Sequence, residues 1–230
     1  MLQFDHAQSG YGDFSLRADF SIAAGARAAV IGPSGAGKST LLAMGAGFVP
    51  LSGGRVLWAG QDLAGMAPGA RPVSILFQDQ NLFPHLSVAQ NVGFGLRADL
   101  RLSADERAAV AQALQQVGLQ DMAERRPAQL SGGQQSRVAL ARVALRDRPI
   151  LLLDEAFAAL GPALKEDMLD LLSQIAARNG ATVLMVTHDP DDARSFAPDT
   201  IAVIEGVAHP PVPTGPLLDN PPPALAAYLG

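Results

Sequence analysis

Short apolar runs recur along the chain, each flanked by glycine-rich, polar or helix-patterned segments. Arg27–Gly32 (RAAVIG), Val73–Phe77, Ile150–Leu153, Thr182–Val186 and Thr200–Ile204 share one texture. They are too short for helices and lack apolar–polar alternation, the pattern of strands buried on both faces. Between them the period changes: Lys38–Ala46 has helix-forming composition, and Leu164, Met168, Leu171, Leu172 and Ile175 fall on one helical face. Strands alternating with helices predict an α/β fold with a mostly parallel sheet.

Two stretches depart from this rhythm. From about residue 80 to 146 there is almost no strand pattern, and Ser103-Ala-Asp-Glu106 is a capping box opening a helix toward Val117. This block reads as a helical subdomain inserted into the α/β frame. Beyond Glu205 the chain turns proline-rich (HPPVPTGPLLDNPPP), which predicts an irregular tail over about 208–230 with one terminal turn at Ala224–Leu229.

Composition narrows the function classes. With 230 residues, 48% hydrophobic and 17% charged, the chain reads as one globular domain spanning 1–230. A net charge of −5, with Arg125-Arg126 as the only adjacent basic pair, argues against a nucleic-acid partner. The absence of cysteine removes disulfides, thiolate metal sites and Cys nucleophiles. Met1–Ala7 lacks the features of a signal peptide, and no apolar run approaches the ~20 residues a bilayer requires. Any membrane role therefore has to come through a partner.

The candidate chemistry sits at strand ends. Gly32, Pro33, Ser34, Gly35, Ala36, Gly37, Lys38, Ser39 and Thr40 fill every fixed position of G-x-x-x-x-G-K-[ST] between a strand and a helix. In such a loop backbone N–H groups cradle phosphate oxygens, Lys38 reaches the β/γ-phosphates and Ser39 binds Mg²⁺. Asp154, at the end of an apolar run, suits the same metal, and Glu155 is a second acid free to polarise water. His188 follows another strand and is a candidate for a γ-phosphate contact. Leu130-Ser131-Gly132-Gly133-Gln134 opens a second helix with a capping hydroxyl and two glycines, a second anion-binding terminus. Either one nucleotide touches both termini, or each chain lends one to a neighbour.

GPSGAGKST, LSGGQ, ILLLDE and THD, in this order and spacing, resemble the ATP-binding subunits of ABC transporters over essentially the whole chain. That resemblance implies an ABC-type ATPase core with an N-terminal antiparallel β part. It also implies a head-to-tail dimer in which Ser131–Gln134 of one copy closes over the ATP and Mg²⁺ held by the other. Tyr11 then matches the family's adenine-stacking aromatic, and Gln78 its glutamine at the metal and γ-phosphate. Expected partners are membrane-spanning permease subunits and, indirectly, a periplasmic solute-binding protein, with the chain on the cytoplasmic face of the inner membrane. Two positions depart from the family pattern: Ala156 stands where a Pro is usual, and Gly161 where an Asp is usual.

The segment DQNLFPHLSVAQNVGFGL, with Leu82, Phe83 and Leu86, is a candidate groove for a permease helix or part of the subdomain core. Its wording resembles the ATPases of thiamine importers. Importers of iron, polyamines or sulfate are the alternatives within the class. A soluble ABC ATPase of DNA repair or translation is a second class, and a P-loop small-molecule kinase, which leaves LSGGQ unused, a third.

Overall fold

The structure, a computed structural model, describes residues 1–12 and 14–229. In chain order it begins with β1 (Leu2–Tyr11), β2 (Phe14–Ile22), β3 (Arg27–Ile31), α1 (Lys38–Ala46), β4 (Gly53–Trp58), β5 (Gln61–Asp62) and β6 (Val73–Phe77). The helices α2 (Val88–Gly93), α3 (Ala104–Gln116) and α4 (Gly132–Leu145) follow. Next come β7 (Ile150–Asp154), α5 (Pro162–Asn179), β8 (Thr182–Val186), α6 (Pro190–Phe196) and β9 (Asp199–Ile204). The chain closes with β10 (Val207–Ala208), β11 (Val212–Pro213), α7 (Thr214–Asp219) and α8 (Pro223–Leu229).

The five predicted apolar runs become β3, β6, β7, β8 and β9, which pair in parallel in the order β6-β7-β8-β3-β9. Burial explains why they read as continuous runs. Ala28 and Val30 of β3, Leu152 of β7 and Leu184 of β8 enter one core, while Ala29, Ile31, Leu151, Leu153, Val183 and Met185 enter a second on the opposite face. The interior positions of the central strands thus meet an apolar layer on either face, and polar residues stand only at the strand ends, as Arg27, Asp154 and Thr182 do. The first core is closed by α1 and the antiparallel strands β1, β2 and β4, and the second by α4, α5 and α6. In β2 one face is solvated, and buried and accessible positions alternate.

Among the described residues no strand lies between Phe77 and Ile150. Helices α2, α3 and α4 form a third core around Val88, Val92, Leu114 and Val138. Each of the three opens on a capping box, at Ser87–Gln90, Ser103–Glu106 and Ser131–Gln134. Buried Asn91 accepts from Phe83 N–H and donates to the carbonyls of Phe83, Leu86 and Ser87, pinning the loop that enters this block.

The tail keeps its expected terminal turn, as α8, and otherwise corrects the expectation of irregular structure. β11 pairs with β9, and α7 and α8 are helices that bury Leu218 and Leu225 in the second core. Pro216 and Pro223 lie in the first turns of these helices, where a missing N–H has no intrahelical partner to lose. Gly230, the tail's last residue, lies outside the described residues.

Because Leu225 is fully buried, Leu225→Ala is expected to destabilise the protein by about 2–5 kcal/mol in urea unfolding. A cost well under ~1 kcal/mol would show that α8 is not part of the core.

Candidate nucleotide site

Parallel pairing delivers the predicted residues to one edge. Phe77 pairs with Asp154, Asp154 with Val186, and Val186 with Val30, so Gln78, Glu155 and the Thr187–Asp189 loop leave the sheet beside the P-loop. This is the C-terminal edge, where open parallel sheets bind their ligands.

The P-loop needs its glycines. Gly32 has φ 152° and backs onto the carbonyl of Val203 so closely that a Cβ has no room, while Gly35 and Gly37 hold φ of 77° and 112°. Lys38 Nζ folds back to donate to the carbonyls of Gly32 at 2.7 Å and Pro33 at 3.0 Å. Burial pulls its pKa down, against the opposing pull of Glu155 and Asp154. Ser39 Oγ donates to Asp154 Oδ1 at 3.0 Å, which places two hard oxygen donors side by side, the set Mg²⁺ prefers. Asp154 is pushed above the usual carboxylate range by burial, opposed by the Ser39 bond, with Glu155 adding to the rise and Lys38 opposing it. A half-buried carboxylate held in this state favours a proton or a metal ion over a bare charge.

Glu155 adopts φ 48° and donates its N–H to Val186 O. Its Oε2 lies 3.7 Å from His188 Nδ1, with the carboxylate 31% exposed and the imidazole 54% exposed. Gln78 is exposed, one residue beyond β6. The loop after it is tied to α4, where Arg142 donates to the carbonyls of Gln80 and Asn81 and Gln80 donates to Ser136.

Not all predicted residues converge. Neither cavity lined by the P-loop includes Ser131, Gly132, Gly133 or Gln134. Ser131 Oγ accepts from Gln134 N–H and Gln134 Oε1 from Ser131 N–H, while Gly133 packs against Leu164 of α5. Tyr11 is 93% exposed at the tip of the β1–β2 hairpin. Its cross-strand partner Phe14 is the aromatic that lines the phosphate cavity with Gly35, Lys38 and Glu155.

Sequence reasoning missed Phe14, whose signal was its place three residues beyond Tyr11 at the start of an alternating strand. It also missed Tyr228 on α8, which lies 6.0 Å from Lys38 Nζ by its ring centroid and donates to His188 O at 3.4 Å. Burial and the charge of Glu155 raise the Tyr228 phenol. Leu82, left between groove and core, packs against the second and third cores, while Phe83 stacks on Phe94 at 4.6 Å in a groove shared with Arg142 and Arg146.

The sequence pattern of the ABC transporter family matches residues 16–158. The chain belongs to that family. Among relatives, it is 61% identical to the thiamine import ATP-binding protein ThiQ of Cereibacter sphaeroides over the whole length of both chains. It is 58% identical to ThiQ of Ruegeria sp. (strain TM1040), again over both full lengths, and 46% identical to ThiQ of Yersinia pestis over 230 residues, 97% of that protein. Among solved structures it resembles the ATP-binding cassette MJ0796, a dimer in a post-hydrolysis state with ADP and Pi. That match has a TM-score of 0.78 and 29% identity, covering 93% of this chain and 99% of the other. The α/β core and the ABC ATPase class follow from the family. Among the described residues no helix of this ABC protein is long and apolar enough to cross a membrane.

The raised pKa of Asp154 makes a stability prediction with a definite sign. The folded state holds the Asp154 proton more tightly than the unfolded chain, so ionised Asp154 costs stability above its raised pKa, and the cost fades as pH falls through that value. Asp154→Asn is expected to raise the thermal midpoint of the nucleotide-free protein at about pH 7, with the gain shrinking on acidification. An unchanged or lower midpoint at neutral pH would contradict it.

Proposed function

We propose that this chain is the ATP-hydrolysing subunit of an importer for thiamine or its phosphates, acting on the cytoplasmic face of the inner membrane. The observation that carries the solute is 61% identity along the full length of a protein named for thiamine import. Permease subunits would supply the membrane path and a periplasmic binding protein the cargo. The Phe83–Phe94 groove, open between β6 and the helical block, is the surface offered to the permease. Over about residues 80–146 that block is read as a subdomain within a single domain of 1–230.

Within this reading ATP sits on Gly32–Thr40, with Lys38 exchanging its two carbonyl bonds for phosphate oxygens. Ser39 and Asp154, with Gln78 nearby, would hold Mg²⁺, which neutralises charge on the phosphates when bound. Glu155 orients and deprotonates the attacking water, and His188 contacts the γ-phosphate. Tyr11 remains the assignment for adenine, with Phe14 beside it at the phosphate end. Ser131–Gln134 does not line either of its own P-loop cavities, so a second copy in head-to-tail arrangement would complete the site. The dimeric state of the solved MJ0796 relative supports this arrangement.

Gly161 is the N-cap of α5 with φ −67° and ψ 159°, a conformation open to any residue, and a Cβ there meets nothing within 4 Å. Glycine is therefore not required by the backbone, and the loop forgoes a capping side chain by sequence alone. Ala156, the other departure, is buried in the second core.

Two experiments test this reading. In vesicles carrying the copurified permease complex, the wild type should drive ATP-dependent thiamine uptake. Glu155→Gln should cut hydrolysis by a factor of about 100 or more while ATP binding persists. Equal uptake by wild type and Glu155→Gln would sink the mechanism, and uptake of another solute but not thiamine would sink the cargo. Gly161→Asp should stabilise α5 by only a few tenths of a kcal/mol, an approximate figure for this cap exchange, and should raise the cooperativity of hydrolysis with ATP concentration. Unchanged rate and cooperativity would make the departure at 161 neutral.

A further inference from the structure

The loop bearing His188 is fixed at both flanks while its imidazole stays half exposed. Thr187 Oγ1 donates to Asp192 Oδ2 at 2.8 Å and accepts from Asp189 N–H at 3.0 Å. Asp189 Oδ1 accepts from Asp191 N–H and so caps α6. One cation joins these groups to another element: Lys165 Nζ lies 2.7 Å from Asp189 Oδ2 and 3.1 Å from Asp192 Oδ1, with its side chain only 15% exposed.

Lys165 stands in the first turn of α5, where its N–H donates to Gly161 O. It therefore links the helix that follows Glu155 and the unbranched position 161 to the loop that carries His188. Burial lowers the Lys165 pKa, but its bonds to Asp189 and Asp192 outweigh that and hold it above the ordinary lysine value. A shielded ion pair of this kind adds little net stability, because desolvation offsets most of its attraction. What it does supply is a fixed direction and distance between two loops.

We propose that Lys165 is a positioning residue for His188. By gripping Asp189 and Asp192 it holds the Thr187–Asp189 loop so that the imidazole meets the γ-phosphate, and it makes that placement depend on the first turn of α5. The inference rests on the proposed contact of His188 with the γ-phosphate.

The test is a double-mutant cycle on the full-length chain with Lys165→Met, His188→Ala and the pair, reading ATP hydrolysis and the equilibrium affinities for ATP and ADP. Affinity keeps the cycle readable when hydrolysis falls to background. Lys165→Met is expected to lower hydrolysis about tenfold and to weaken ATP relative to ADP by roughly threefold or more. The double variant should discriminate ATP from ADP no worse than His188→Ala alone, and Lys165→Arg should recover hydrolysis to within about twofold of wild type. If Lys165→Met acts equally with and without His188, or weakens ATP and ADP alike, Lys165 is structural and the proposal is overturned while His188 keeps its role. If His188→Ala leaves the ATP-to-ADP ratio unchanged, the His188 contact fails, and the Lys165 role with it. Should Lys165→Met not fold, Lys165→Met with Asp192→Asn replaces it in the cycle, since it leaves one fewer unpaired carboxylate.

Discussion

The site depends on one row of parallel pairing. Phe77, Asp154, Val186 and Val30 lie level across four strands, and the residues proposed for the nucleotide and its metal lie on that row or leave the sheet just beyond it. A slip of one residue in any of these strands would exchange its two faces between the first and second cores and move its functional side chain to the wrong layer. Both faces being apolar, the cores alone discriminate weakly between registers. Size does the rest: in β3 small Ala28 and Ala29 lie at its start and larger Val30 and Ile31 nearer the P-loop.

The P-loop adds a second constraint, applied to charge. Lys38, Asp154 and Glu155 gather where water is partly excluded, and two of them have a local partner: carbonyls for the Lys38 ammonium, the Ser39 hydroxyl for Asp154. The Ser39–Asp154 contact holds two oxygen donors together and so lowers the ordering cost of binding a metal, whereas the Lys38 ammonium has to leave its carbonyls to reach a phosphate. The same crowding leaves Asp154 destabilised as an anion, an instance of stability surrendered at a functional position.

Much of this architecture was legible in the sequence, and the reasons differ by element. β6 and β8 are legible to the residue because strands buried on both faces give short, mostly apolar runs that end on a polar residue, Gln78 and Thr187. The capping box at Ser103–Glu106 was legible because it is a local hydrogen-bond pattern with a fixed spacing. In the tail the terminal turn at Ala224–Leu229 is legible and forms α8, whereas β11 and α7 are not, because proline reads as a breaker although Pro216 occupies a first turn and Leu218 finds a core. Lys165 and Tyr228 escaped notice for a common reason. Each acts on partners far along the chain, 24 residues away for Lys165 and Asp189, and no local periodicity encodes which distant loop a side chain will meet.

The head of α4 has its own consequence. Ser131 and Gln134 satisfy each other's backbone N–H groups within one chain, so the signature is a closed hydrogen-bonded unit before any neighbour approaches. Two of the N–H groups that a helix start leaves without an intrahelical partner, those of Ser131 and Gln134, are thus satisfied from within the motif itself. If a second copy docks on this terminus, as proposed above, its departure leaves those two donors paired, so the motif that closes the site adds no cost of its own to opening at these positions.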